Sequence, residues 1–343
     1  LTYVGPIAPP VIPWEKAASK ALRLAGVAGD FAAFSERRLA AVAQAFEPRA
    51  RSDAALDFFH GTTLWAATRP KRPYVAWGDC AFFDYIDIFH DRSRFRAEDL
   101  ARIEAAEARW LRAAQRVVFT SDWAAGRTVS RYGLDPKRVG CVGIFGEAEP
   151  PAADAWRSGA EFVFVSTDFK AKGGPVVVEA LSQVRRSHPG ATLTVIGAAP
   201  SELSTAAGVA WAGYLRKEAP EEDARFREIL GRAVALVHPT RSDIAPLILV
   251  EAALFGCPAI ASRAFAIPEL VTDSQTGWLL DRPQDPGEVA AAMRRVLDEP
   301  ARYRLLRANA WRKARDEHSK ARFTERLLAA VDAALAEAGV AAA

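Results

Sequence analysis

Few cysteines, no long apolar run and almost no charge imbalance mark this chain, and each absence closes off a class of protein. Cys80, Cys141 and Cys257 are odd in number and far apart. They lack the C-x-x-C spacing of a zinc or redox site and read as reduced, buried thiols of a cytoplasmic protein. No stretch approaches the roughly 20 apolar residues needed to cross a bilayer, because Arg, Asp or Gly interrupts even the richest runs. The net charge is +3. It arises in residues 1–150, where 21 Lys and Arg face 18 Asp and Glu. That excess is too small to argue for nucleic acid, but it is compatible with weak peripheral contact on the acidic inner face of a membrane. Internal repeats are missing as well. Leu1 opens the chain without the charged-then-apolar layout of a signal peptide, and a stretch upstream of it is expected to have been lost.

What remains is an ordinary globular composition, half apolar and a quarter charged over 343 residues, enough for two domains with cores of their own. From residue 160 onward, short β-branched or aromatic runs alternate with longer amphipathic segments, the pattern of a parallel sheet flanked by helices. Strands are predicted at 162–165, 192–196, 209–212, 235–238, 259–262 and 278–280. Segments 174–187, 218–232 and 246–255, with apolar residues three and four apart, read as helices. The first half alternates less regularly, with strands at 56–59, 74–77 and 117–120 and a helix over 97–115. Residues 147–155, polar and carrying Pro150 and Pro151, read as the linker. The expected division is 1–149, 150–320, and a C-terminal helix, 321–343, packing back on the first domain. The last forty residues read as two or three helices, 322–335 among them, with a fraying tail.

The chemistry concentrates in two loops. Residues 238–262 (HPTRSDIAPLILVEAALFGCPAIAS) run from strand to loop to helix, with Pro246 at the predicted first helical position. The N–H groups of Leu247, Ile248 and Leu249 would then face the carboxyl edge of the sheet, where a diphosphate fits a helix N-terminus. Asp243 and Glu251 flank that helix start and suit the hydroxyls of a ribose and a sugar; a capping Asp beside a solvated Glu gives the same pattern. In residues 162–174 (FVFVSTDFKAKGG), Lys172 can reach phosphates across the crevice, and Gly173 and Gly174 permit close backbone approach.

Residues 166–174, 243–251 and 267–280 resemble the three donor-site blocks of glycosyltransferase family 4, in that family's order and spacing. Residues 120–125 and 132–139 are similar to the segment that closes its N-terminal domain. The resemblance implies an α/β GT-B fold, two Rossmann-like domains with parallel sheets facing an interdomain cleft. It further implies retaining transfer, without metal or cofactor, of a sugar from a UDP- or GDP-linked donor to a glycan, lipid or small-molecule acceptor. By this likeness Glu251 holds the ribose, Asp243 lies by the donor sugar, and Lys172 neutralises the leaving diphosphate. Ser166, Thr167, Lys170, Gly173, Leu247 and Ile248 complete the donor site.

Several positions depart from the family's pattern. Thr167 stands where Arg is usual, with Lys170 as the substitute charge, although an ammonium does not reproduce a guanidinium fork. Asp243 replaces Glu, and Phe265-Ala266 replaces Gly-Gly and is expected to crowd the donor. Asp79 takes the place of a histidine after the 74–77 strand, as a third catalytic candidate facing donor sugar or acceptor, or as a strand-end turn residue. Nothing matches the family's opening strand and Gly-rich loop. These losses keep an alternative open, a non-catalytic GT-B relative that binds nucleotide or glycan as a partner subunit; an epimerase or phosphorylase has no motif support. His60 is a second strand-end candidate, or a structural histidine. Trp110, Trp123 and Trp311 read as core. Arg92, Arg94, Arg96 and Arg102 read as a solvated surface, or as a site for a lipid-phosphate acceptor. Loops 197–201 and 211–215 are expected to choose the base; the base, sugar, acceptor and oligomeric state are not legible.

Overall fold

The computed structural model describes residues 6–7, 12–50, 53–148, 151, 156, 158–197 and 206–339. Most of the 147–155 linker and of the 197–201 loop lies outside the described residues. The chain forms two compact units, 1–143 with 324–343, and 144–323. The borders drawn from sequence stood at 149/150 and 320/321. No helix among the described residues is long and apolar enough to cross a membrane.

The first unit runs α1 (Pro13–Leu24), α2 (Glu36–Phe46), β1 (Asp57–His60), β2 (Tyr74–Gly78), α3 (Phe82–Phe89), α4 (Ala97–Ala113), β3 (Arg116–Phe119), α5 (Asp122–Tyr132) and β4 (Val139–Cys141). The four strands pair in parallel in the order β1-β2-β3-β4. β4 went unread in the sequence because Val-Gly-Cys is too short and glycine-bearing to carry a strand pattern. Helix α4 buries Leu100, Ile103, Trp110 and Leu111 along one stripe, as its three- and four-residue spacing demands.

In the same stripe lies Glu107, wholly buried. Its carboxylate accepts hydrogen bonds from the Thr62 hydroxyl at 2.6 Å, the Thr63 hydroxyl at 2.7 Å, the Phe82 N–H at 2.8 Å and the Tyr132 hydroxyl at 2.6 Å. One side chain thus ties the segment after β1 to the start of α3 and the end of α5. Burial pushes its carboxyl up, against the pull of those four donors. Glu107→Ala would strand three hydroxyls and an amide in a dry interior, where each unmet group costs about 1–3 kcal/mol. Chemical denaturation is expected to show a loss of about 3–5 kcal/mol, and a loss below about 1 kcal/mol would mean that the cluster does not hold the unit together.

Asp84, on α3, is 1% exposed, with Oδ1 2.7 Å from Arg127 Nε and no partner for Oδ2 among the described residues. Burial lifts its carboxyl to about 6, more than Arg127 lowers it. A native pKa above the unfolded value of about 3.9 means that the native state holds the extra proton between about pH 4 and 6. This contribution is therefore fully present below pH 4 and is lost as pH rises through 6. The stability of the wild type relative to Asp84→Asn should fall by on the order of 2 kcal/mol from pH 4 to pH 7. A flat or rising difference would contradict the assignment.

The second unit comprises β5 (Glu161–Ser166), α6 (Gly174–Val184), β6 (Thr192–Gly197), β7 (Val209–Gly213), α7 (Pro220–Arg232), β8 (Ala235–His238), α8 (Leu247–Leu254), β9 (Ala259–Ser262), α9 (Ile267–Leu270), β10 (Gly277–Leu280), α10 (Pro286–Asp298) and α11 (Pro300–Glu317). Helix α12 (Lys320–Glu337) contains the 323/324 border and ends in the first unit, where Glu337 pairs with Arg116 at 2.6 Å. All six strands are parallel, in the order β10-β9-β8-β5-β6-β7.

Alternation along β5 sends Phe162 and Phe164 to one face, with Val177, Leu181 and Met293, and Val163 to the other, with Ile229, Leu249 and Leu254. α6 and α8 consequently cover opposite faces. Arg307, fully buried, fastens α11 beneath the sheet by donating to the carbonyls of Ala233 at 3.1 Å and Phe255 at 3.0 Å.

Candidate functional site

In the second unit the chain leaves β5 for β6 and β7 on one side, then returns to β8 on the other. Open parallel sheets bind ligands beyond the strand carboxyl ends at such a reversal. The loops that leave β5 and β8 meet there.

The β5 loop is a tight turn built from its own polar groups. The Ser166 hydroxyl accepts from Asp168 N–H at 2.9 Å, and Asp168 Oδ1 accepts from Ala171 N–H at 3.0 Å. Lys172 N–H reaches Asp168 O at 3.1 Å. Phe169 pins the turn from below against Phe164 and Trp211, with ring centroids 5.5 and 5.2 Å away. Gly173 sits at φ +87°, and a Cβ there would lie 2.8 Å from Pro239 O on the β8 loop. Only glycine meets both conditions.

Lys172 is thereby aimed at the β8 loop. Its Nζ lies 2.8 Å from Asp243 Oδ2 and donates to Ser242 O at 2.5 Å. His238, at the end of β8 and 2% exposed, brings Nε2 to 3.6 Å from the same carboxylate oxygen, just beyond hydrogen-bond length. Burial drives the Asp243 carboxyl up, but His238 and Lys172 outweigh it and hold it below the usual carboxylate range.

Glu251 is paired with a cation that the sequence did not single out. It is 3% exposed on α8 and ion-paired with Lys217, whose ammonium also lies 5.3 Å from the Phe226 ring centre. Burial raises the Glu251 carboxyl, and Lys217 pulls it the other way. The structure thus gives each acid its own lysine, Asp243 with Lys172 and Glu251 with Lys217. Lys217 and His238 went unread as site residues. The signal for His238 was its place at a strand's carboxyl end beside the acid-bearing loop, whereas an isolated Lys-Glu between two elements gave none for Lys217.

Helix α8 starts one residue later than its sequence suggested, with Pro246 as the flanking residue. Leu249 N–H is taken by Pro246 O at 3.1 Å, so it is not one of the outward donors; those of Leu247 and Ile248 precede the first intrahelical acceptor. Phe265, where the resemblance calls for glycine, keeps a glycine-like φ of +53°, and Ala266 N–H bonds Ile244 O at 3.1 Å. Thr167 and Lys170 lie in the β5 turn. Asp79 follows β2 in the first unit and is exposed.

Of the other candidates, His60 packs against Trp77 with centroids 4.6 Å apart and the rings tilted by 47°, and Trp110 is core, donating to Thr68 Oγ1 at 2.9 Å. Trp123 and Trp311 are half-buried, each with an arginine, Arg127 or Arg315, 5.0 and 4.7 Å from its ring centre. Arg92, Arg96 and Arg102 are engaged by Glu104, Asp30 and Asp99.

Residues 159–299, which contain Lys172, Asp243, Glu251 and their partners, match the family model described as glycosyl transferases group 1. This segment is similar to group 1 glycosyl transferases. The glycogen synthase of Mycobacterium tuberculosis is 33% identical to the chain over 184 residues, 51% of this chain and 40% of that protein. The D-inositol 3-phosphate glycosyltransferase of Acidothermus cellulolyticus is 28% identical over 226 residues, 59% and 50% of the two chains. The chain therefore spans half or less of the length of these curated relatives. The crystal structure of Anabaena HepE in complex with UDP superposes with a TM-score of 0.64 at 16% identity, covering 92% of this chain and 89% of that one. At such identity the likeness establishes the fold, which is GT-B.

In this segment the glycine that joins the two loops is the most direct to test. Gly173→Ala is expected to destabilise by about 1–3 kcal/mol through its left-handed backbone and the contact with Pro239. Gly126→Ala, inside α5 with open space around it, should instead stabilise by about 0.5–1 kcal/mol. Thermal unfolding of both variants checks the contrast, and equal effects would show that the Gly173 geometry does not matter.

Proposed function

We propose that the chain is a retaining glycosyltransferase of the family 4 type, moving a sugar from a UDP- or GDP-linked donor to a glycan, lipid or small-molecule acceptor. The observation that carries this reading is the meeting of Lys172 and Asp243 at the sheet's reversal point, inside the segment that matches the group 1 model. The donor's diphosphate would lie between the Lys172 ammonium and the N–H groups of Leu247 and Ile248. There it competes with Asp243 for the Lys172 ammonium. As the sugar's bond to the leaving oxygen breaks, charge builds on the diphosphate, and a fixed cation beside a helix N-terminus stabilises that charge.

In this reading no metal is needed, because Lys172 and the start of α8 supply the compensating charge. Glu251 receives the ribose hydroxyls, held in place by Lys217, and Asp243 lies by the donor sugar. Ser166, Thr167, Lys170 and Gly173 line the phosphate side, and Asp79 serves the sugar or the acceptor. The UDP in the HepE crystal structure supports a nucleotide here. A cytoplasmic setting with peripheral membrane contact belongs to the same proposal.

Thermal unfolding with UDP, GDP and ADP tests it. A nucleotide at a hundred times its dissociation constant should add about 2.7 kcal/mol of stability, and turnover of the matching nucleotide sugar should follow. Glu251→Gln is expected to abolish the nucleotide effect and Lys172→Ala to weaken it at least tenfold in affinity. A nucleotide response unchanged in both variants would place the donor elsewhere; no response to any nucleotide would overturn the reading, and a response without turnover would leave a binder.

A further inference from the structure

The first unit contains a cavity of about 490 Å³ at the junction of α1, α2 and the turn between α3 and α4. Its floor is aromatic. Phe31, 5% exposed, packs edge-on against Phe95 and His90 with centroids 4.9 and 5.2 Å away, and Phe89 stands at the wall with 42% of its surface exposed. Its rim carries three cations, Lys16, Arg38 and Arg94, against one acid, Asp91. Asp91 Oδ1 already accepts both the N–H and the hydroxyl of Ser93, at 3.1 and 2.6 Å.

The charges on this face divide sharply. Arg92, Arg96 and Arg102, none of which lines the cavity, are each ion-paired with a carboxylate. Among the described residues none of the three lining cations has an acidic side chain within ion-pair distance, and Arg38 Nε is buried without a hydrogen-bond partner. A buried donor of that kind costs free energy unless something accepts from it. Guanidinium groups and an ammonium converging over an apolar floor suit a phosphate or carboxylate carried on a hydrocarbon or aromatic body. The volume lies within the range of small-ligand pockets.

We infer that this cavity binds an amphipathic anion, a phosphate-type head group on an aryl or prenyl body, with Lys16, Arg38 and Arg94 on the head and the phenylalanine floor beneath the body. The site belongs to the first unit alone and stands independently of the donor reading.

Isothermal titration of the full chain with phenyl phosphate, inorganic phosphate and benzyl alcohol tests it. Phenyl phosphate is expected to bind saturably, one per chain, and at least tenfold more tightly than either fragment. Lys16→Glu and Arg94→Glu, both at exposed positions, should each weaken it more than tenfold with an unchanged unfolding midpoint. Ala32→Trp, which fills the cavity and leaves the cations in place, should abolish it. Sedimentation with phosphatidate vesicles, lost in Ala32→Trp and competed by phenyl phosphate, would show the same chemistry delivered by a lipid. Equal affinity for phenyl and inorganic phosphate, an adventitious anion only, overturns the inference. So does phenyl phosphate binding that the charge reversals and Ala32→Trp leave intact, or vesicle binding that Ala32→Trp does not change.

Discussion

The reversal of chain order between β5 and β8 is the constraint from which the second unit's chemistry follows. Although α6 and α8 cover opposite faces of the sheet, the loops feeding them leave adjacent strands and meet at the carboxyl edge, where open sheets bind ligands. Polar groups gather there because no crossover covers them. The β5 loop answers with a self-bonded turn around Asp168, the β8 loop with Asp243 and the amino end of α8, and Gly173 allows the two backbones to touch. Lys172 then has one short path, across to Asp243. The group 1 match over residues 159–299 contains both loops and the strands that carry them.

The strands of the second unit were legible to within a residue or two, since strands buried on both faces of a parallel sheet read as short, nearly continuous apolar runs. Local order was legible for the same reason: Phe162 and Phe164 declare one face and Val163 the other. Long-range pairing was not. Nothing in the spacing of Lys172 and Asp243, 71 residues apart, requires contact, and the resemblance supplied their roles without showing that they form an ion pair. The Lys217 partner of Glu251 was invisible because helical periodicity describes one element at a time. Glu107 escaped notice for a related reason, as a charged residue on an apolar stripe looks like a solvated position until its four donors are brought to it from three other segments.

Phe265 is instructive in the opposite direction. Its replacement of a glycine reads in sequence as crowding, yet the backbone retains the left-handed conformation that glycine would favour. The surrounding loop imposes that shape, through the Ala266 to Ile244 hydrogen bond on one side and α9 on the other. A strained residue of this kind costs on the order of 1–2 kcal/mol and persists where its neighbours over-determine it. A left-handed turn that glycine would adopt easily is thus kept with phenylalanine in place.

The two units bury carboxylates in contrasting ways, and the contrast separates architecture from chemistry. Glu107 is closed from water and saturated by neutral donors on elements that depend on it, so no solute can replace any of its partners without opening the core. Asp243 and Lys172 remain about a quarter exposed, where an ion pair is screened and contributes modestly to stability. Such a pair is exchangeable: an arriving anion with more charge than one carboxylate takes the ammonium at little cost, while the turn around Asp168 and Phe169 keeps the lysine backbone fixed. The loop pair is thus held in its backbone and yielding in its charge. In the proposed donor role, that combination would let the cation paired with Asp243 stabilise a leaving diphosphate.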